Sequence, residues 1–289
     1  MIRRRANVVS SGMHRKVSTM SDFNRNASAP FGRTLTRAES TVIDAGLRAY
    51  MLRIYNYMVL GLAITGFAAL GIYMLSVTGD AGAAARSATG GALALKAGSY
   101  LTPIGYAMFV SPLKWVVIFA PLALVFFLGF RVNSMSPATA QVSFWIFSAL
   151  IGLSLGSIFL VYTHASIVRV FFITAASFGA LSLWGYTTQR DISGWGSFLL
   201  MGLVGVILAS IVNMIWPSGA LQFVVSVIGV VIFAGLTAWD TQRLKNEYAY
   251  GAMEGDVLQK SAIMGALSLY LNFINLFTFM LQLFGQRDQ

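Results

Sequence analysis

Near its C-terminal end the chain contains GALSLYLNFINLFTFMLQLFG, Gly265 to Gly285. The stretch is long and apolar enough to cross a bilayer as one helix. It also carries Ser268, Asn272, Asn275 and Gln282, at steps of four, three and seven residues. At ~100° per residue, these four side chains fall within roughly 80° of arc on one helical face. Hydrocarbon offers an amide no hydrogen-bond partner. That face must therefore be enclosed by other helices. The spacing predicts a buried helix with a polar seam, and the rest of the chain has to supply its neighbours.

Composition agrees that those neighbours lie in a membrane. The chain is 57% hydrophobic and 10% charged, with a mean hydropathy of +0.71; soluble domains carry about 25% charged residues. There is no cysteine, which excludes disulfides, thiolate metal sites and thiol nucleophiles. The net charge is +10, and half of the 20 basic residues lie at or before Arg53. Residues 1–48 therefore read as a basic, disordered tail preceding a membrane domain at 49–289. The tail lacks the interleaved aromatic groups of a nucleic-acid surface, so no nucleic-acid partner is expected. Contact with anionic lipid heads or a role in topogenesis fits it better.

Seven apolar segments follow, at about 57–76, 115–130, 142–162, 169–186, 195–215, 220–239 and 265–285. Pro121 falls inside the second and is tolerable there if a neighbour satisfies the freed carbonyl. Ser148, Gly152 and Gly156 form a small-residue ladder in the third, suited to close helix packing. Asp191 or Ser193 is expected to cap the fifth span, Ser218 or Gly219 to open the sixth, and Asp256 with Gln259 to form a capping box for the seventh. Counted with the N-terminus inside, inner segments hold fifteen Lys and Arg and outer segments five. That predicts a cytosolic N-terminus. The fold class expected is an all-α membrane protein of seven transmembrane helices.

Few residues in such a bundle can carry chemistry. Zinc hydrolysis needs clustered ligands, and the two histidines, His14 and His164, lie in the tail and an outer loop. An aspartyl protease needs two facing carboxylates, whereas Asp240 stands alone at the end of the sixth span. No enzyme and no cofactor are expected. Asp240 is either a solvated interfacial carboxylate or a partner for the seam. Asn272 and Asn275 are either interhelical glue, at about 0.6–2 kcal/mol per hydrogen bond, or part of an ion path. A proton-coupled transporter would want more buried ionisable groups than these spans hold.

TAWDTQRLK at the end of the sixth span, paired with the Gly265–Gly285 stretch, resembles the Bax inhibitor-1 family of transmembrane Bax-inhibitor-motif proteins. SIFLVYTHASIVRVFFITAASFGALSLWGYTTQRDISGWGSFL is similar to the bacterial branch of that family. The likeness covers about residues 48 to 285. It implies that the C-terminal helix is central and wrapped by the other six. It implies a calcium leak across a bacterial inner membrane, gated by pH through two aspartates that share a proton near an arginine. Carried over, the sixth-helix aspartate is Asp240, the arginine is Arg131, and the seventh-helix aspartate position holds Asn272. An Asp–Asn pair shares no proton, so strong pH gating is not expected. What remains is a slow cation or calcium path past Asp240, Asn272, Arg131, Asn275 and Ser268. Asp240 would be a weak calcium ligand, because calcium prefers six to eight oxygens with several carboxylates among them. The expected partners are the lipid bilayer and the calcium ion. The resemblance also implies a second function: association with a membrane-anchored AAA protease and modulation of its turnover of membrane substrates.

Overall fold

The computed structural model describes residues 37–86, 90–96, 98–250 and 255–288. The basic stretch before position 37, His14 included, lies outside the described residues. Chain order is α1 (Arg37–Ser76), β1 (Val77–Thr78), β2 (Ala94–Lys96), β3 (Ser99–Leu101), α2 (Pro103–Phe109), α3 (Leu113–Arg131), a 3-10 turn (Val132–Ser134), α4 (Pro137–Leu155), α5 (Ile158–Val161), α6 (His164–Thr187), α7 (Trp195–Ile215), α8 (Gly219–Tyr250) and α9 (Gly255–Phe284). Contacts divide the chain into two units, Met1–Asp44 and Ala45–Gln289, and the second holds every membrane span. Among the described residues, seven helical segments are long and apolar enough to cross a membrane, the first being Ala45–Ser76. The protein is an all-α, multi-pass membrane protein, as its composition predicts.

Local sequence features inside the spans are met by neighbouring helices at several points. Pro121 sits within an unbroken α3. Its ring frees the carbonyl four residues back, that of Val117, and the Ser154 hydroxyl of α4 donates to it at 2.6 Å. The small-residue ladder of α4 packs on α1. A Cβ on Gly152 would stand 2.5 Å from the Thr65 carbonyl oxygen, and one on Gly156 would stand 2.3 Å from Ile72 Cγ2. Thr163 and Ser136 cap α6 and α4 through their side chains, and Ser218 accepts from Leu221 N–H at the start of α8.

Three local expectations are corrected. Neither Asp191 nor Ser193 caps α7: Gly194 holds that position, and Asp191 instead closes a turn by accepting from Ser193 N–H at 2.9 Å. The sixth span does not end at Trp239. α8 runs on to Tyr250, because no helix breaker intervenes and Leu244 is buried. The last helix begins at Gly255, so Asp256 lies within its first turn rather than at a cap. The Ala/Gly-rich stretch between the first two spans, 77–112, carries structure of its own. It folds into a three-stranded antiparallel sheet, order β1-β3-β2, followed by α2 with Thr102 as its cap.

α9 is the most enclosed span. Its most apolar window is 61% buried, against 11–33% in the other six. Tyr270 is fully buried. Its ring meets Phe144 and Phe147 of α4 edge-on, at 5.6 and 5.8 Å between centroids. Its hydroxyl hydrogen bonds Thr65 of α1 at 2.6 Å. Beyond α9 the chain pairs with the α5–α6 connection: Thr163 N–H donates to the Gln286 carbonyl, and Gln286 N–H to the Ser166 hydroxyl.

Candidate functional site: a buried carboxylate between two cavities

Because α8 continues past Trp239, Asp240 is a mid-helix residue packed against α9. It is 4% exposed. A buried carboxylate is costly unless its oxygens find donors, and here three converge. Oδ2 accepts from the Asn272 amide at 2.7 Å and from the Ser268 hydroxyl at 2.8 Å. Oδ1 pairs with the Arg243 guanidinium at 2.7 Å. Arg243 is nearly one turn beyond Asp240 on α8, so helical periodicity aims it; Asn272 and Ser268, one turn apart on α9, share a face by periodicity and reach Asp240 through the packing of α9 on α8.

Arg243 is not the cation the sequence suggested. Arg131, at the end of α3, is exposed, and the ion pair that Asp240 makes among the described residues is with Arg243. Among the described residues Arg131 makes no ion pair with Asp240, and Arg243 takes that place for a simple reason. A residue at i+3 on the same helix reaches the carboxylate without any tertiary arrangement, and this chain has one. Arg243 is also steadied by the Trp239 ring, 5.0 Å from the guanidinium carbon, and lies 3.5 Å from Ser268 Oγ. Its side chain is 45% exposed, against 6% for Asp240. The pair therefore runs from interior to surface.

Asn275 and Gln282 extend the seam. The Asn275 amide donates to its own helix at the Leu271 carbonyl, 2.8 Å away. The Gln282 carbonyl oxygen accepts from Ser226 of α8 at 2.9 Å. The four polar residues predicted to share one face of α9 all find partners, and three of them bond to α8, but Gln282 at the far end is exposed rather than enclosed.

Two cavities meet at this cluster. One of about 690 Å³ lies within the spans among α3, α7, α8 and α9, with Asp240, Asn272 and Asn275 on its wall. The other, about 580 Å³, lies nearer the α8–α9 connection and includes Asn133, Glu247, Lys260 and Ser261. Arg243, Ser268, Val125 and Leu271 line both. These four side chains stand where the two cavities adjoin, and Arg243 and Ser268 are the polar pair among them. Among the described residues no group of three or more His, Asp or Glu could hold a metal ion. A cation at Asp240 would have to displace Arg243.

Sequence reasoning also passed over Gln242. It is buried, accepting from Ile192 N–H at 2.9 Å and donating to the Arg190 carbonyl at 2.8 Å. This ties the α6–α7 loop to α8. The only signal for it was its place in TAWDTQRLK.

The family described as "Inhibitor of apoptosis-promoting Bax1" matches residues 47–289. The chain belongs to the Bax inhibitor-1 family. Its relatives include bacterial proteins. The inner membrane protein YbhL of Escherichia coli K12 is 43% identical over 84% of this chain and 94% of its own length. A protein of Caulobacter vibrioides is 43% identical over 92% and 98%, and one of Rickettsia prowazekii is 44% identical over 87% and 95%. The match begins two residues into the compact unit and covers the whole polar cluster, so Asp240, Arg243, Ser268 and Asn272 belong to the family domain.

Proposed function

We propose that this family member is a slow cation leak of a bacterial inner membrane, with calcium among the ions it passes. Its N-terminus is cytosolic, α9 is the axis that the other spans wrap, and the Asp240 cluster is its latch on the cytosolic side. It is a permeation protein rather than an enzyme. The observation that carries the reading is one buried carboxylate, held by three donors, where two cavities adjoin. While Arg243 lies on Asp240 the latch is shut and the seam is neutral. When Arg243 swings to the cytosolic side, Asp240 becomes a lone buried negative charge at a narrow place. A passing cation would find the Asp240, Ser268 and Asn272 oxygens there. This is too few for tight calcium binding, which suits passage rather than storage.

Asn272 sets the pH behaviour. Its amide donates to Asp240 and brings no titratable proton of its own to the pair. Asn272→Asp restores two close carboxylates, one of which holds a proton. In proteoliposomes, calcium flux through Asn272→Asp should become pH dependent, and Asp240→Asn should change basal flux. If both variants conduct as the parent does at every pH, the latch is refuted.

A second reading has its own support. Each polar residue of the seam is hydrogen bonded to α8 or to α9 itself, as packing glue would be. On that reading the protein is a regulator of a membrane-anchored AAA protease. Seam substitutions would then alter stability and leave no flux phenotype, whereas removing residues 1–36 would alter protease turnover.

A further inference from the structure

A larger hollow lies on another face of the bundle. It is a groove of about 960 Å³ between α1 and α6, with Phe273 of α9 on its wall. Two glycines, Gly66 of α1 and Gly179 of α6, line it. In membrane helices such residues ordinarily let two backbones approach. Here neither does so: a Cβ on either would meet nothing within 4 Å among the described residues. By contrast, Gly152, Gly156 and Gly185 would each bring a Cβ within 2.6 Å of a neighbour. Gly66 and Gly179, with Ala63 and Ala175, hollow the groove instead of closing it.

The lining tells what the occupant is made of. Two of the polar side chains that reach the groove bond within the bundle. The Tyr55 hydroxyl bonds Ser182 at 2.5 Å, and Ser182 bonds Thr241 of α8 at 2.9 Å. The body of the groove is therefore apolar. Its one charged lining residue is Arg48, exposed at the start of the Ala45–Ser76 span. A second cation stands at the same end: Lys245 donates to the Tyr186 carbonyl at 2.8 Å and lies 5.4 Å from that ring, and Tyr186 lines the groove. From Arg48 to Leu70 the groove runs roughly 33 Å at 1.5 Å per residue, close to the ~30 Å hydrocarbon thickness.

We propose that the groove is a binding site for an anionic phospholipid. Its acyl chains lie against Gly179, Ala175 and Ala63, and its phosphate faces Arg48 with Lys245 behind. The cations at one end favour a lipid phosphate over a transmembrane helix of another chain, whose apolar span would leave Arg48 without a partner.

The test is native mass spectrometry of the full chain, purified in detergent and offered phosphatidylglycerol and phosphatidylcholine in equal amounts. The parent should retain phosphatidylglycerol in preference. Arg48→Ala should lower that preference roughly fivefold, the effect of one basic residue near an anionic lipid surface, with total retained lipid less affected. Gly179→Phe should lose retained lipid of both kinds. Because the added ring enters open space, its melting temperature without lipid should not fall, which separates filling from misfolding. Gly66→Leu serves as a second filling variant. Equal retention of the two lipids by the parent, or unchanged retention in both filled variants, overturns the proposal. So does a dimer whose cross-links map to Gly66 and Gly179.

Discussion

Removing the guanidinium from Asp240 is the sharpest perturbation of the latch. Consider Arg243→Gln. The pair is close, at 2.7 Å, but asymmetric: the carboxylate is 6% exposed and the guanidinium 45%. Breaking a fully buried pair costs about 3–5 kcal/mol, and an exposed pair contributes about 0–1 kcal/mol. A pair with one end in solvent falls between, near ~2 kcal/mol, because water screens Arg243 while Asp240 keeps the Asn272 and Ser268 hydrogen bonds. If that energy holds the latch shut, its loss multiplies the open population roughly thirtyfold. The assay is calcium or potassium flux through proteoliposomes at matched protein density. Flux should rise by about that factor at neutral pH, while Arg243→Lys, which keeps the charge but loses the fork, should fall between. Size-exclusion profile and melting temperature must accompany both variants, since unpairing Asp240 also destabilises the fold. A folded Arg243→Gln protein that leaks no faster than the parent would refute the reasoning.

Gly185→Ala would drive a Cβ to 2.3 Å from the Ala238 carbonyl oxygen. Backbone cannot yield as a side-chain tip does, so about 1–3 kcal/mol should be lost, read as a lower melting temperature. Gln242→Ala strands the buried Ile192 N–H, at about 1–3 kcal/mol, and hydrogen exchange should quicken at 190–193 before anywhere in the spans. Asp191 has its carboxyl held below the usual range by the hydroxyl and backbone N–H of Ser193. A depressed value means that the turn's stability is present above the unfolded pKa and lost as pH falls through the folded one. Acidification below the ordinary aspartate range should therefore loosen this loop, seen as a Trp195 fluorescence change that Asp191→Asn abolishes.

Much of the bundle was legible because lipid leaves a chain few options. Seven apolar runs had to be helices, and the face bearing Ser268, Asn272 and Asn275 had to be covered. The Asp240–Asn272 contact was reachable through the resemblance. The errors concentrate where hydropathy stops being informative. The extension of α8 to Tyr250 is polar in sequence and helical in space, held by Leu244 and by its packing on α9. That error left Asp240 at a membrane edge and hid Arg243, which looked like a loop charge. The short sheet in the first loop was equally hidden, since strands of two or three residues leave no readable period.

By itself, the sequence determined that α9 is buried and which of its residues face inward, since 3.6-residue periodicity and the absence of water in hydrocarbon allow one answer. Which residue would meet that face was decided by tertiary structure. A carboxylate takes the nearest donors that the packed helices present, and these were Arg243 on its own helix with Asn272 and Ser268 across from it, not Arg131. The same holds for the glycines. Composition marks Gly66, Gly152, Gly179 and Gly185 as alike, and only the placement of neighbouring helices made two of them contacts and two of them a hollow.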